Sequence, residues 1–180
     1  MPKLPSDPTP RKAAKTTLKA ASKLAAKPAR RVAPKVAFPK KNQAPTAAAY
    51  ASLLPLPLGK RFEAVRGFLR KQKDVTEDVY FYGPKSGWGL RYLAGQRPLC
   101  TLFVHGARPL GILALDAAAS ALVDWKGLSP VGRNARRSAH GSPSLLWLDV
   151  PLDGAGAADF KTLARAKVTA LAAATPSRSA

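Results

Sequence analysis

Apolar residues recur along this chain with two different periods, and each period predicts one kind of secondary structure. Helical spacing occurs from residue 60 to 73, among lysines and arginines, and again from about 157 to 174. The first segment predicts an amphipathic helix with a basic outer face, and in the second Lys161, Arg165 and Lys167 lie off the apolar stripe. A period of two, or a short apolar run between turn residues, predicts strands near 79–82, 88–93, 99–104, 110–115 and 145–150.

The connections between the predicted strands indicate the fold class. Tight turns rich in glycine and proline join the first four strands, which is typical of an antiparallel meander. Two short helices are predicted after the fourth strand, one capped by Asp116 and the other by Ser129, which Pro130 follows. The expected fold is therefore α+β, an antiparallel sheet of four to five strands covered by helices on one face and preceded by a disordered tail.

The stretch with the most distinctive composition is the turn at residues 83–87 with the aromatic residues on both sides of it. This pattern predicts a hairpin. Tyr82 and Trp88 offer flat surfaces for stacking, while Lys85 and Arg91 offer fixed positive charge. We expect these four residues to form a binding site for a small anionic or aromatic ligand. A nucleotide or a nucleic-acid base suits the same chemistry.

The strand period also supports a structural interpretation of this hairpin. With a period of two, Trp88 shares one face of its strand with Leu90 and Tyr92, and Arg91 points to the other face. In this alternative Trp88 is a core residue and Lys85 is a solvated turn residue. The two interpretations make opposite predictions for the stability of a Trp88→Ala variant.

Charge is distributed unevenly along the chain. Residues 1–45 contain 12 lysines and arginines against Asp7 alone, a net charge of +11 out of the total +20. Their richness in lysine, alanine and proline predicts a disordered tail. Flexible cations neutralise phosphates without reading bases, so we expect nucleic-acid contacts from Lys12, Lys15, Lys19, Lys23, Lys27, Arg30 and Arg31. The alternatives are a solubilising extension and, for residues 1–35, a transit peptide, which the many prolines and the excess of lysine over arginine disfavour.

Changes in composition predict the domain boundaries. Residues 46–58 lose the charge and contain two prolines, so we expect an extended linker there. Residues 59–175 form the expected α+β domain, which is long enough to bury a single core. Residues 176–180 are expected to form a disordered C-terminus.

Residues 82–91 have the spacing Tyr-Gly-x-Lys-x-Gly-Trp-x-Leu-Arg. Together with Arg97–Leu102, Leu128-Ser129 and Trp147-Leu148, they look like the motifs of a bacterial family. Over about residues 55–172 the chain resembles this family, domain of unknown function 3788. The family is itself uncharacterised, so the resemblance implies domain boundaries and no chemistry. The tail lies outside it and is similar only in composition to the lysine-, alanine- and proline-rich tails of linker histones.

Candidate catalytic groups are few. The lone Cys100 alternates with apolar neighbours in a predicted strand, so we interpret it as a structural thiol that forms no intramolecular disulfide. The turn at 83–87 lacks the first glycine of a phosphate-binding loop and precedes a strand. We therefore assign no catalytic residue, no metal and no cofactor, and an enzyme that uses Glu77 or His105 is a third hypothesis.

Targeting signals do not stand out in the sequence. A secretion signal and an apolar run of about 18 residues are both missing, so we expect no membrane partner and a cytoplasmic, bacterial protein, with nucleoid association through the tail. The leading hypothesis is a non-enzymatic domain whose basic arm binds nucleic acid. The rival hypothesis is a small-ligand sensor built around the hairpin.

Overall fold

The computed structural model describes residues 36–142 and 144–174 of the chain. Most of the predicted tail, over residues 1–35, and the predicted disordered end at 176–180 lie outside these residues. The candidate phosphate contacts also lie outside them, namely Lys12, Lys15, Lys19, Lys23, Lys27, Arg30 and Arg31.

The described residues contain five helices and six strands in a mixed order. The helices are α1 (Ala49–Ser52), α2 (Leu56–Arg70), α3 (Ala117–Ala121), α4 (Pro130–Arg137) and α5 (Gly156–Ala173). The strands are β1 (Val75–Phe81), β2 (Trp88–Ala94), β3 (Arg97–His105), β4 (Arg108–Asp116), β5 (His140–Ser142) and β6 (Leu145–Pro151). None of these helices is long and apolar enough to cross a membrane.

The strands form one antiparallel sheet in the order β1-β2-β3-β4-β6-β5. The predicted α+β class is confirmed, and the predicted meander corresponds to β1 to β4. The sheet has six strands among the described residues rather than four or five. The additional strand is β5, whose sequence His-Gly-Ser carries no apolar pattern, and which is held through backbone pairing with β6.

One face of the sheet carries the hydrophobic core. The register places Trp88, Leu90 and Tyr92 on the same face, as the period of two predicts, and the last two side chains are fully buried. Fully buried side chains of α2 and α5, such as Phe62 and Phe160, belong to the same core. Burial of each such side chain stabilises the fold by about 1.5–3 kcal/mol, and it explains why the helices cover this face.

A glycine in β4 sets the approach of α5 to the sheet. A Cβ atom at Gly111 would lie 2.3 Å from Cε2 of Phe160, which is far closer than carbon atoms pack. The missing side chain at position 111 therefore lets the aromatic ring lie directly on the strand. Two helical turns after Phe160, α5 carries Lys167.

The structure differs from the predicted boundary of the basic tail at residue 45. The backbone of Val36 pairs with that of His105 at the end of β3. The carbonyl of Phe38 accepts a hydrogen bond from the backbone N–H of Trp88 at 3.1 Å, and the carbonyl of Lys40 accepts one from Nε1 of the same residue at 2.9 Å. Residues 36–40 are thus part of the folded domain.

The predicted extended linker at residues 46–58 also differs from the structure. Tyr50 lies in α1, is fully buried and contacts Phe38 edge to face, with ring centroids 5.0 Å apart. Residues 56–58 already belong to α2, in which Pro57 occupies the first turn, a position that tolerates proline. The two prolines therefore mark the start of a helix and not an extended arm.

A buried ion-pair network joins α2 to the sheet. The Arg66 guanidinium, in a residue only 5% exposed, donates to both carboxylate oxygens of Glu77, at 2.7 and 3.2 Å, and to Glu63 at 2.6 Å. The hydroxyl of Tyr92 donates to Glu77 as well. Burial alone would raise the pKa of Glu77, but the hydrogen bonds and charge of Arg66 outweigh it, and the pKa lies below its usual range.

Candidate ligand-binding site on the uncovered sheet face

The face of the sheet opposite the helices carries exposed aromatic side chains. Tyr80 and Tyr82 are 43% and 39% exposed near β1, and Trp147 is 43% exposed on β6. Together with neighbouring residues, these side chains line a cavity of about 600 Å³. An exposed apolar surface of this kind in a folded domain indicates a site of interaction.

One side of the cavity is a cluster of aromatic rings. The ring of Tyr82 contacts Tyr80 and Phe103 edge to face, at centroid distances of 4.9 and 5.2 Å. Gly89 lies beneath Phe103, and a Cβ atom there would come within 2.7 Å of that ring. Because Tyr82 and Thr101 also share a hydrogen bond of 2.6 Å between their hydroxyl groups, the position of this ring is fixed.

Arg91 lies on the same face, but its charge is already compensated. Its guanidinium donates to both carboxylate oxygens of Asp78, at 3.0 and 2.5 Å. It also stacks on the ring of Tyr80, with 4.1 Å between the guanidinium carbon and the ring centroid. Arg91 therefore holds the aromatic cluster in place more than it offers a free cation.

Two of the four predicted site residues line this cavity and two do not. Tyr82 and Arg91 lie among its lining residues. Lys85 is exposed in the turn, and Trp88 points to the opposite face, where it packs on the core and binds the Lys40 carbonyl. The four side chains therefore do not meet in one cavity, because adjacent residues of β2 point to opposite faces of the sheet.

The other side of the cavity comes from β6 and β5. Trp147 and His140 are cross-strand partners, and their rings are stacked with centroids 6.5 Å apart. Asp149, two residues further along β6, lines the same cavity and is exposed. The short apolar run at 145–150 predicted a strand but no role in binding. The signal was the pattern Leu146-Trp147-Leu148, in which two inward leucines place the tryptophan outward.

Lys167 reaches this cavity from the helix-covered side of the sheet. The pairing of β3 with β4 starts at Thr101 and Ile112, so the preceding part of β3 has no partner in β4. Lys167 lines the cavity together with Cys100 and Ala114, which flank this opening between the strands. Its side chain therefore enters the cavity where β3 and β4 have separated.

The burial of Lys167 corrects its predicted place away from the apolar stripe of α5. The residue is only 9% exposed, and burial lowers the pKa of its amine, which the nearby Cys100 and Asp116 partly oppose. The sequence contained a signal, because Lys167 follows Phe160 by seven residues and Leu163 by four, which places it on the apolar face.

The other candidates for chemistry lie in three different environments. Cys100 is buried, and burial raises the pKa of its thiol. Glu77 is bound by Arg66 on the core face, and Nε2 of His105 is buried without a hydrogen-bond partner among the described residues. Over residues 36–142 and 144–174, His, Cys, Asp and Glu side chains form no cluster of three that could hold a metal ion.

Comparison with known proteins identified no relative of this chain. No family model, no curated protein and no solved structure matches this chain. The resemblance to domain of unknown function 3788 therefore stays a prediction.

Proposed function

We propose that the folded domain binds a ligand with a flat aromatic ring on the uncovered face of its sheet. The observation that carries this proposal is the exposure of Tyr82 and Trp147 on the two sides of one cavity. A volume of about 600 Å³ falls within the range of small-molecule sites. Aromatic side chains at such positions bind flat ligands by stacking or edge-to-face contact.

Fluorescence titration with the neutral dye phenylnaphthylamine tests the aromatic part of this site. We expect Trp147→Ala to weaken binding of the dye by about 2- to 10-fold, the loss that one aromatic contact produces. Since Trp147 is 43% exposed, its removal should leave the melting temperature nearly unchanged. Unaltered dye affinity in Trp147→Ala would contradict the proposed site.

A matched control is needed because a second apolar depression lies on the domain. Leu54 and Leu56 line an open groove between α1 and α2, and Leu56 is 72% exposed. Leu56→Ala removes exposed apolar surface at this groove and leaves the sheet face unchanged. If Leu56→Ala weakens dye binding and Trp147→Ala does not, the dye occupies the groove and the proposal for the sheet is wrong.

A second function, non-specific binding of nucleic acid, is proposed for the basic residues 1–45. The specific observation in its favour is their net charge of +11. If 6–10 of these cations contact phosphates, affinity for duplex DNA should fall about 10³- to 10⁵-fold between roughly 50 and 200 mM salt, with little dependence on base sequence. Fluorescence anisotropy with labelled duplexes of unrelated sequence measures both properties.

Charge-matched variants locate the activity within the chain. Replacing Lys12, Lys15, Lys19 and Lys23 with glutamine should reduce the slope of log affinity against log salt by up to about 3.6, since each lost phosphate contact lowers the slope by about 0.9. The control replaces four exposed cations of the domain with glutamine, namely Lys60, Arg61, Lys71 and Lys73. An equal reduction in both variants, or no binding near 50 mM salt, would refute a specific role for the basic segment.

A further inference from the structure

Lys167 differs from the other basic residues of α5 in its surroundings. Lys161 is half-buried and Arg165 is exposed over the ring of Phe68, while Lys167 is 9% exposed beneath the sheet. Burial of an ammonium group is unfavourable unless an anion compensates it. An amine at this position therefore requires an explanation other than solubility.

The described part of the chain provides no direct partner for this amine. The ion pairs among the described residues join Arg66 to Glu63 and Glu77, and Arg91 to Asp78. None of them includes Lys167. Asp116 acts on Lys167 only through space, since its carboxylate caps α3 by accepting from the N–H of Ala119. The ammonium group thus retains its capacity to donate hydrogen bonds.

The direction in which Lys167 can donate is towards the aromatic cavity. The side chain lines that cavity with Cys100 and Ala114, and Phe103 and Trp147 line the same cavity. The other lining cation, Arg91, is neutralised by Asp78 at 2.5 Å. The lining carboxylate of Asp149 is exposed, so water screens its charge.

We propose that Lys167 binds a single anionic group, a carboxylate or a phosphate, on the aromatic ligand of the sheet face. This inference rests on the proposed function and adds the polar half of the ligand. The aromatic ring lies over the exposed face, and the anionic group points into the opening between β3 and β4. Lys85 and Arg91, which the sequence predicted to hold that charge, are exposed and neutralised, respectively.

A pair of related dyes separates the two halves of this ligand. Phenylnaphthylamine is neutral, and anilinonaphthalenesulfonate is the same dye with one sulfonate. We expect Lys167→Met to weaken binding of the anionic dye on the order of 10- to 100-fold, the contribution of a hydrogen-bonded charge. Binding of the neutral dye should change less than about twofold, because methionine has a similar shape and supplies apolar contacts.

The control is Lys161→Met, the same change on the same helix at a residue that does not line the cavity. If Lys161→Met and Lys167→Met weaken binding of the anionic dye equally, the net charge of the protein explains the effect and the inference is wrong. If Lys167→Met leaves the affinity for both dyes unchanged while Trp147→Ala lowers it, the aromatic site is supported and only the role of Lys167 is overturned. If Trp147→Ala changes the affinity for neither dye, the proposed aromatic site is wrong, and the inference that rests on it is wrong as well.

Competition with the unaltered protein provides a test that needs no variant to fold. Benzoate, phenyl phosphate and the neutral benzyl alcohol share one ring and differ in the group attached to it. We expect benzoate, phenyl phosphate or both to displace the anionic dye at concentrations where benzyl alcohol does not. The more effective of the two identifies the anion as a carboxylate or a phosphate, and equal displacement by all three compounds would overturn the inference.

Discussion

The contact between Gly111 and Phe160 predicts a large effect from a single methyl group. In Gly111→Ala the new Cβ would lie 2.3 Å from a ring carbon of Phe160. Carbon atoms pack best at about 3.5–4.0 Å, so the ring must move by more than about 1 Å. Phe160 has no exposed surface, and the ring cannot turn into solvent. We therefore expect destabilisation towards the upper end of the range of about 1–3 kcal/mol for overpacked cores.

Urea unfolding followed by circular dichroism measures this change as a lower midpoint with an unchanged slope. A matched control is Gly67→Ala in α2, where a new Cβ would meet no atom within 4 Å. Because alanine is favoured over glycine in a helix, this variant should be more stable by about 0.5–1 kcal/mol.

A double variant tests the steric reason directly. In Gly111→Ala combined with Phe160→Leu, the clash disappears, so the two changes should show a coupling of about 0.5–3 kcal/mol. Strictly additive effects would refute the view that the ring sets the distance between α5 and the sheet. Because the same helix carries Lys167, Gly111→Ala should also weaken binding of the anionic dye.

Two further predictions concern the opposite face of β2 and the ion-pair network. Trp88→Ala should lower the free energy of unfolding by roughly 3 kcal/mol, because its ring packs on the core and its Nε1 donates to the Lys40 carbonyl. Trypsin cleavage after Lys40 should become faster, and an unchanged melting temperature would contradict a core role. Glu77→Gln should destabilise the protein by about 3 kcal/mol near pH 7, because the buried Arg66 loses its main partner. The folded-state pKa of Glu77 is lowered, so its contribution is present above the unfolded pKa of about 4.3 and is lost as the pH falls through the folded value. Urea unfolding at several pH values should therefore show a difference between variant and unaltered protein that shrinks below about pH 4, and a constant difference would contradict this reasoning.

Much of the fold could be predicted because its elements follow simple periods. The strand period placed Trp88, Leu90 and Tyr92 on one face, and the register confirms it. The boundary near residue 45 could not be predicted from charge, because contacts made by a few apolar residues, such as Phe38, outweigh the surrounding polar composition. Strand β5 is held by backbone hydrogen bonds, which leave little trace in side-chain identity.

The candidate site was predicted only in part for a related reason. Tyr82 and Arg91 are neighbours across one hairpin, so local sequence could associate them. Trp147 and Lys167 reach the same cavity from a distant strand and from the opposite layer, which depends on sheet order and on the end of pairing between β3 and β4. Such long-range proximity has no signal in a local period.

The buried thiol of Cys100 can report on local opening of the structure through its rate of chemical labelling. The chain contains one cysteine, which is 6% exposed and flanks the opening between β3 and β4. A thiol reagent must wait until this part of the structure opens, so the ratio of the labelling rates in the unfolded and native states gives the free energy of local opening. A compound that occupies the cavity stabilises the closed state and should slow the reaction in proportion to its occupancy. The labelling rate of one sulfur atom can therefore detect ligands, without an added dye and before their chemical identity is known.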